Sequence, residues 1–231
     1  MKRLHILYTL LFIWLLPVTS NGQPAGKEKL RVISYNIWNG FEHDASRRAN
    51  FINWIKGQQP DILAMTELVG FTEKDLGQLA SEYGHKYYAI VKEEGYPVGI
   101  TSNEPITVVK KQMEGFWHGM LHVKTHGLDM IVTHLSPHDW KFRLKEAQML
   151  TSYIQDNQLD NCMVMGDFNA YSPFDADWVE THAQLIENMQ KWDAEQETYR
   201  NMRDGRFDYS VLSKFLSIGL TDIGRLYVPA D

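Results

Sequence analysis

Apolar and polar positions alternate along this chain with two different periods. Leu30 to Ile37 (LRVISYNI) is rich in β-branched residues and predicts a strand. Asp44 to Gln58 predicts a helix, with Asp44 as cap and Ala45, Ala49, Ile52 and Ile55 on one face. Gly57 and Pro60 end it. Asp61 to Glu67 (DILAMTE) predicts a second short strand, and Thr72 to Tyr83 a second amphipathic helix closed by Gly84. A β-rich middle runs from Lys86 to Leu135 as KYYAIV, PVGITS, ITVVKK, FWHGMLHVKT and LDMIVTHL. Gly95-Tyr96-Pro97, Asn103-Glu104-Pro105 and His126-Gly127 interrupt these runs as turns. Asp139 to Asn157 predicts a helix that carries Leu144, Ala147, Leu150 and Ile154 inward. Asn161 to Met165 is another buried strand, and Asp175 to about Asp204 is polar and helical in part. Strands and helices thus alternate with no repeat, linker or low-complexity tract. The expected class is α/β, one domain with helix layers around sheets.

The start of the chain breaks this pattern. Lys2 and Arg3 precede an almost wholly apolar stretch, Leu4 to Val18, followed by the small and polar Thr19, Ser20, Asn21 and Gly22. That is the layout of a secretory signal peptide over 1–22, and it leaves residues 23–231 as the domain. A membrane span needs ~20 apolar residues, so no stable anchor is expected. The expected location is secreted or periplasmic. The lone Cys162, in the buried-strand run Cys162-Met163-Val164-Met165, suits an oxidising compartment because it has no partner.

Composition narrows the chemistry. Hydrophobic content of 44% and 12% aromatics exclude a disordered or collagen-like chain. The formal charge of −6 becomes −8 without Lys2 and Arg3, which argues against a broadly basic nucleic-acid coat. A single cysteine excludes a disulfide framework and multi-cysteine metal sites.

What remains is a set of polar residues at strand ends. The first strand runs into Asn36, the second into Glu67, and Met130-Ile131-Val132-Thr133 into His134. Val164-Met165-Gly166 runs into Asp167, with Asn169 two residues on. Sites on layered folds collect at such ends, where rigid backbone aims side chains at a cleft. Two carboxylates, two amides and one imidazole are hard ligands, suited to Mg²⁺, Mn²⁺ or Ca²⁺ rather than zinc. Taken singly, each has an ordinary reading: a turn-capping Asn, a solvated Glu, a core His.

The ordered set Asn36, Glu67, Thr133-His134-Leu135 and Gly166-Asp167-Phe168-Asn169 resembles the endonuclease/exonuclease/phosphatase superfamily. Gly99-Ile100-Thr101-Ser102-Asn103-Glu104-Pro105 resembles its G-I-x-x-S-x-x-P segment, and Arg143 and Gln148 fall on the helix after the histidine motif. The resemblance spans Leu30 to about Tyr171. It implies a deoxyribonuclease-I-like four-layer α/β/β/α sandwich and Mg²⁺-dependent hydrolysis of phosphodiesters or phosphomonoesters by water attack at phosphorus. It places Glu67 and Asn36 at the metal (Mg²⁺, or Mn²⁺ or Ca²⁺) and Asp167 at the attacking water. Asn169 would fix that water or the phosphate, and His134 would hydrogen-bond a phosphoryl oxygen. Substrates as different as nucleic acid, a phospholipid headgroup and a sugar phosphate all fit, and no protein partner is implied.

Two later motifs of the superfamily differ. No histidine follows His182, so a Ser-Asp-His is missing. Arg206-Phe207-Asp208-Tyr209 fits an Arg-hydrophobic-Asp-Tyr strand only superficially, and Asp208 is read as a turn or helix-start acid. The expectation is a domain that ends early, without its last strands, with exposed sheet edge and impaired turnover. A non-catalytic binding module that kept the fold is the alternative. A zinc site from His118, His122 and His126 is disfavoured, since strand positions four apart stand ~13 Å apart. Lys141, Arg143 and Lys145 form a candidate basic patch, and Trp117, Trp140 and Phe142 are candidate substrate contacts or core.

Overall fold

In a computed structural model the described residues are 29–227. The proposed leader, 1–22, lies outside them. Strand β1 (Val32–Asn36) lies parallel to β2 (Ile62–Thr66), with Asn36 opposite Thr66. Strands β3 (Tyr87–Ile90) and β4 (Gly99–Ser102) complete the first sheet in the order β1-β2-β4-β3. The second sheet holds β5 (Thr107–Gln112), β6 (Met120–Thr125), β7 (Leu128–His134) and β8 (Cys162–Asp167), in chain order. Its last pair, β7 and β8, is parallel, and His134 stands opposite Asp167. Each sheet therefore ends in one parallel pair whose carboxyl ends carry the polar residues.

The period of two decides the layers. In β2, Leu63 and Met65 face α2 (Ala45–Gln58) and α3 (Glu73–Glu82), where Ile52, Ile55, Leu76 and Leu79 meet them. Ile62 and Ala64 face the other way and pack on Val123, Met130, Val132 and Met165 of the second sheet. Ile131 of β7 points outward to Ala147, Leu150 and Ile154 of α4 (Trp140–Asp156) and to Phe215 of α7 (Ser210–Leu216). Three apolar seams separate four layers, the α/β/β/α sandwich. Helix starts follow their caps: Asp44 accepts from Ser46 N at 2.7 Å, Thr72 and Asp75 form a capping box, and Asp139 accepts from Phe142 N at 2.9 Å.

After β8 come α5 (Ala176–Thr181), α6 (Ala183–Ala194) and a small hairpin of β9 (Met202–Arg203) and β10 (Arg206–Phe207). Arg206-Phe207 thus lies in a two-stranded turn rather than in either main sheet. Two local expectations change. The buried face of α2 is Phe51, Ile52 and Ile55, while Ala45 and Ala49 are exposed, because the first sheet meets the helix through its bulkier residues. Phe116 to Gly119 is a turn leading into β6, with Gly119 at φ 111, so the strand starts four residues later than its alternation suggests. Among the described residues no helix is long and apolar enough to cross a membrane.

Candidate active site

The two parallel pairs bring their carboxyl ends together. Asn36, the last residue of β1, donates its amide Nδ2 to Glu67 Oε1 at 2.8 Å and to Asp167 Oδ2 at 3.1 Å. One amide thereby links residues from both sheets. Its Oδ1 accepts from Trp38 N at 2.8 Å, which fixes the ring of the turn after β1. Glu67 follows β2 with φ 60, a left-handed backbone that a non-glycine residue adopts only when the surroundings enforce it. The enforcement is visible: Glu67 O accepts from Gly40 N at 2.9 Å, and Glu67 Oε2 accepts from Asn39 N at 2.8 Å. Gly40 is required there, since a Cβ would lie 2.1 Å from Val69 O.

On the second sheet, Gly166 lets β8 pass close to β7; a Cβ would stand 1.8 Å from Thr133 O. Asp167 then projects its carboxylate into the cleft, where Oδ1 accepts from Asn169 N at 3.0 Å. Asn169, at φ 48, donates Nδ2 to Leu135 O at 2.9 Å, leaving its Oδ1 as the acceptor that can face a water. His134 Nε2 stands 3.9 Å from Asp167 Oδ2, while its Nδ1 is buried with no hydrogen-bond partner among the described residues. Burial holds the His134 pKa below the ordinary histidine range, with Asp167 and Glu67 opposing. A neutral ring with the proton on Nε2 fits both sides, since a bare Nδ1 buries no N–H. His118 stacks on it, with ring centroids 4.4 Å apart, and burial first, then the charges of His134, Lys92 and His138, push His118 down to about 3.

Of these groups, Asn36, Asp167 and Asn169 line a cleft of about 590 Å³, together with Arg143, Asp175, Asp208 and Asp222. The donor chemistry suits a hard divalent ion. Glu67 and Asp167 supply carboxylate oxygens on either side of the Asn36 amide, although no group of three or more His, Cys, Asp or Glu placed to hold a metal ion occurs among the described residues, this site included. Two acids and an amide fit an ion that keeps several waters, as Mg²⁺ does.

The five residues singled out by the sequence, Asn36, Glu67, His134, Asp167 and Asn169, therefore meet. Of the other candidates, the basic patch changes, while the histidines and aromatics follow the ordinary reading. Arg143 is buried and donates to Ser136 O at 2.9 Å, so it forms no patch with the exposed Lys141 and Lys145. His122 bonds Tyr153 and Asp129, and His126 bonds Asn103; neither approaches His118. Trp117 packs edge-on against Phe142, His138 and Tyr199, and the Arg203 guanidinium lies over Trp140. Asp208 does start α7, accepting from Ser210 N at 3.1 Å, but it also borders the cleft. That second place, with Asp222, was missed by local reading; the Arg-hydrophobic-Asp-Tyr spacing was its only signal.

A sandwich with this site at the joined ends of two sheets is the frame of a phosphoesterase-type hydrolase. The chain belongs to the Endonuclease/Exonuclease/phosphatase family, whose pattern matches residues 33–215. Among solved structures it is similar to a 3'-5' exonuclease from Neisseria meningitidis, with 20% identity and a TM-score of 0.60 over 84% of this chain and 73% of that one. An AP endonuclease from Archaeoglobus fulgidus aligns at 21% identity and a TM-score of 0.58, over 86% of this chain and 74% of that one. A Neisseria 3' phosphatase bound to product DNA hairpin aligns at 19% identity and a TM-score of 0.58, over 84% and 73% of the two chains. No match was found among curated proteins.

Proposed function

We propose that this protein is an exported, divalent-metal-dependent phosphoesterase that hydrolyses a phosphodiester or phosphomonoester by water attack at phosphorus. The observation that carries the reading is the Asn36 amide bonded to both Glu67 and Asp167, which joins the two halves of the site around one small volume. Glu67, with Asn36 beside it, would hold Mg²⁺ (or Mn²⁺ or Ca²⁺), which supplies charge neutralisation for a phosphoryl group. Asp167 takes the proton of the attacking water, and its Oδ1 bond to Asn169 N keeps it aimed. Asn169 Oδ1 orients that water, because Nδ2 is committed to Leu135 O. His134, neutral and partly desolvated, donates a hydrogen bond from Nε2–H to a phosphoryl oxygen and keeps its proton.

The net charge favours a locally recognised substrate over broad polyanion binding. DNA is the first substrate to try, since a fold neighbour is described with a product DNA hairpin. Export is supported by the basic, apolar and small-residue layout of 1–22. A panel of plasmid DNA, a 3'-phosphorylated oligonucleotide, sphingomyelin, inositol phosphates and bis-p-nitrophenyl phosphate tests the reading. Hydrolysis that requires Mg²⁺ or Mn²⁺ and disappears in Asp167→Ala supports it. A competing reading as a binding module draws on the Asn36 amide already filling the gap between the acids. Calorimetry showing no metal binding, with no turnover on any substrate, would favour that module.

A further inference from the structure

Helix α4 reaches the site without touching the cleft's reacting groups. Glu146 is fully buried, yet its two oxygens accept separate backbone bonds: Oε1 from Trp117 N at 2.7 Å and Oε2 from Ser136 N at 2.8 Å. Arg143, one turn earlier on the same face, donates Nη1 to Ser136 O at 2.9 Å. Both polar groups of the Ser136 backbone are thus held by α4. Leu135, the preceding residue, is held on the opposite side by the site itself. Its N donates to Asp167 O at 2.9 Å, and its O accepts the Asn169 amide at 2.9 Å. Glu146 also anchors Trp117, whose neighbour His118 stacks on His134.

Packing alone gives no reason for this arrangement. A buried carboxylate and guanidinium carry a desolvation cost that an apolar pair of the same volume avoids. Ionic groups in such a place are explained by what they hold.

We infer that Glu146 and Arg143 are positioning residues, which act through Ser136 and Leu135 to set where Asn169, Asp167 and His134 stand. The inference rests on the hydrolytic reading of the cleft, but its first test does not use activity. The Asn169 side-chain amide signal is identified in ¹⁵N NMR spectra by its loss in Asn169→Ala. It is then followed in Glu146→Gln and in Thr151→Val. Thr151 is a control buried on the same helix, whose hydroxyl bonds only within α4, to Ala147 O and Gln148 O. The expected result is a shifted or broadened Asn169 signal in Glu146→Gln and an unmoved one in Thr151→Val. An unmoved signal in a folded Glu146→Gln overturns the inference.

On the substrate that the panel identifies, kcat should fall ~10–100-fold with KM little changed, the scale expected of misplacement by about 1 Å. The Glu146→Gln/Asn169→Ala double variant should be slower than Asn169→Ala by less than the full factor Glu146→Gln costs in the wild type, because Asn169 is one of the residues through which Glu146 acts. Effects that multiply would refute the relay. If Glu146→Gln does not fold, Arg143→Met carries the same comparison, since it removes the Nη1 donor to Ser136 O while keeping a long side chain in the same space. A wild type with no Asp167-dependent hydrolysis would sink the enzymatic reading, and the NMR result would still decide the positioning.

Discussion

The β1-α2-β2 and β7-α4-β8 units have the same plan and secure their ends differently. Each is a parallel strand pair joined through a helix, with polar residues at its carboxyl end. In the first unit the backbone itself does the holding. Trp38, Asn39, Gly40, Phe41, Glu42 and His43 all take positive φ, as does Glu67, and N–H groups of this coil bind Glu67. Its helix contributes packing, through Phe51, Ile52 and Ile55, and an exposed Arg47–Glu42 pair with the coil, but among the described residues no bond to Asn36 or Glu67. In the second unit the helix itself supplies Arg143 and Glu146, which grip the strand end through Ser136. A strained coil costs about 1 kcal/mol or more per non-glycine residue, whereas buried ions cost desolvation. The lesson is that a similar site geometry can be stabilised locally by backbone shape or remotely by side chains. The two units should therefore fail in different ways.

The largest effect should come where the units meet. Asp167→Ala removes the proposed base and the second acceptor of Asn36, and initial rates should fall ~10²–10⁴-fold with circular dichroism unchanged. Residual activity within tenfold of wild type would remove Asp167 from that role. Next come the close-approach glycines. Gly166→Ala and Gly40→Ala both place a Cβ on a carbonyl, at 1.8 Å and 2.1 Å, from residues at φ 129 and φ 62. Thr133 is locked inside a paired strand and Val69 sits in a loop, so Gly166→Ala should cost more, about 3 kcal/mol or above by urea unfolding. Equal losses would erase the contrast between a rigid and a yielding neighbour.

A smaller effect separates the units by pH. Burial pushes Glu146 up to about 7, against the pull of its two backbone bonds and Arg143. A raised carboxyl favours folding in full below its unfolded pKa of 4.5, and that contribution is lost as pH rises through 7. Glu146→Gln should flatten this part of the stability profile, a change of roughly 2–3 kcal/mol between those limits. His118 works in the opposite sense. Its depressed pKa gives stability that is complete above 6.5 and lost as pH falls toward 3, so acid should unfold the protein from the second unit's side. Denaturant midpoints measured from pH 4 to 8 check both slopes. The smallest difference should lie at the helix starts. Asp44→Ala and Asp139→Ala each remove a cap and should lower Tm by about 2–4 °C. Asp139 should lose slightly more, because it also receives Arg200 N at 3.4 Å.

Much of this contrast was legible in advance, and unevenly so. The cap Asp44, the helix starts at Thr72 and Asp139, the turns, and the strand runs announce themselves within a few residues. So do the polar strand ends, since Asn36, Glu67, His134 and Asp167 each follow an apolar run that has no packing use for them. The errors fall where a neighbour decides. Ala45 and Ala49 satisfy a helical stripe but lie exposed, because the sheet meets α2 on Phe51's side. Arg143 looks like surface charge by composition, and only burial reveals its grip on Ser136. Glu146 carries no motif at all.

The sequence by itself determined the order and type of the elements, the α/β class, and which residues have chemistry at strand ends. Those follow from backbone hydrogen bonding and side-chain period, forces that act over a few residues. The tertiary structure alone decided that Asn36 binds Asp167 across 131 positions, that Asp208 reaches the cleft, and that Glu146 of α4 bonds the Ser136 backbone. These are contacts between residues far apart in the chain. They exist because packing the three apolar seams brings the polar strand ends of both sheets to one place.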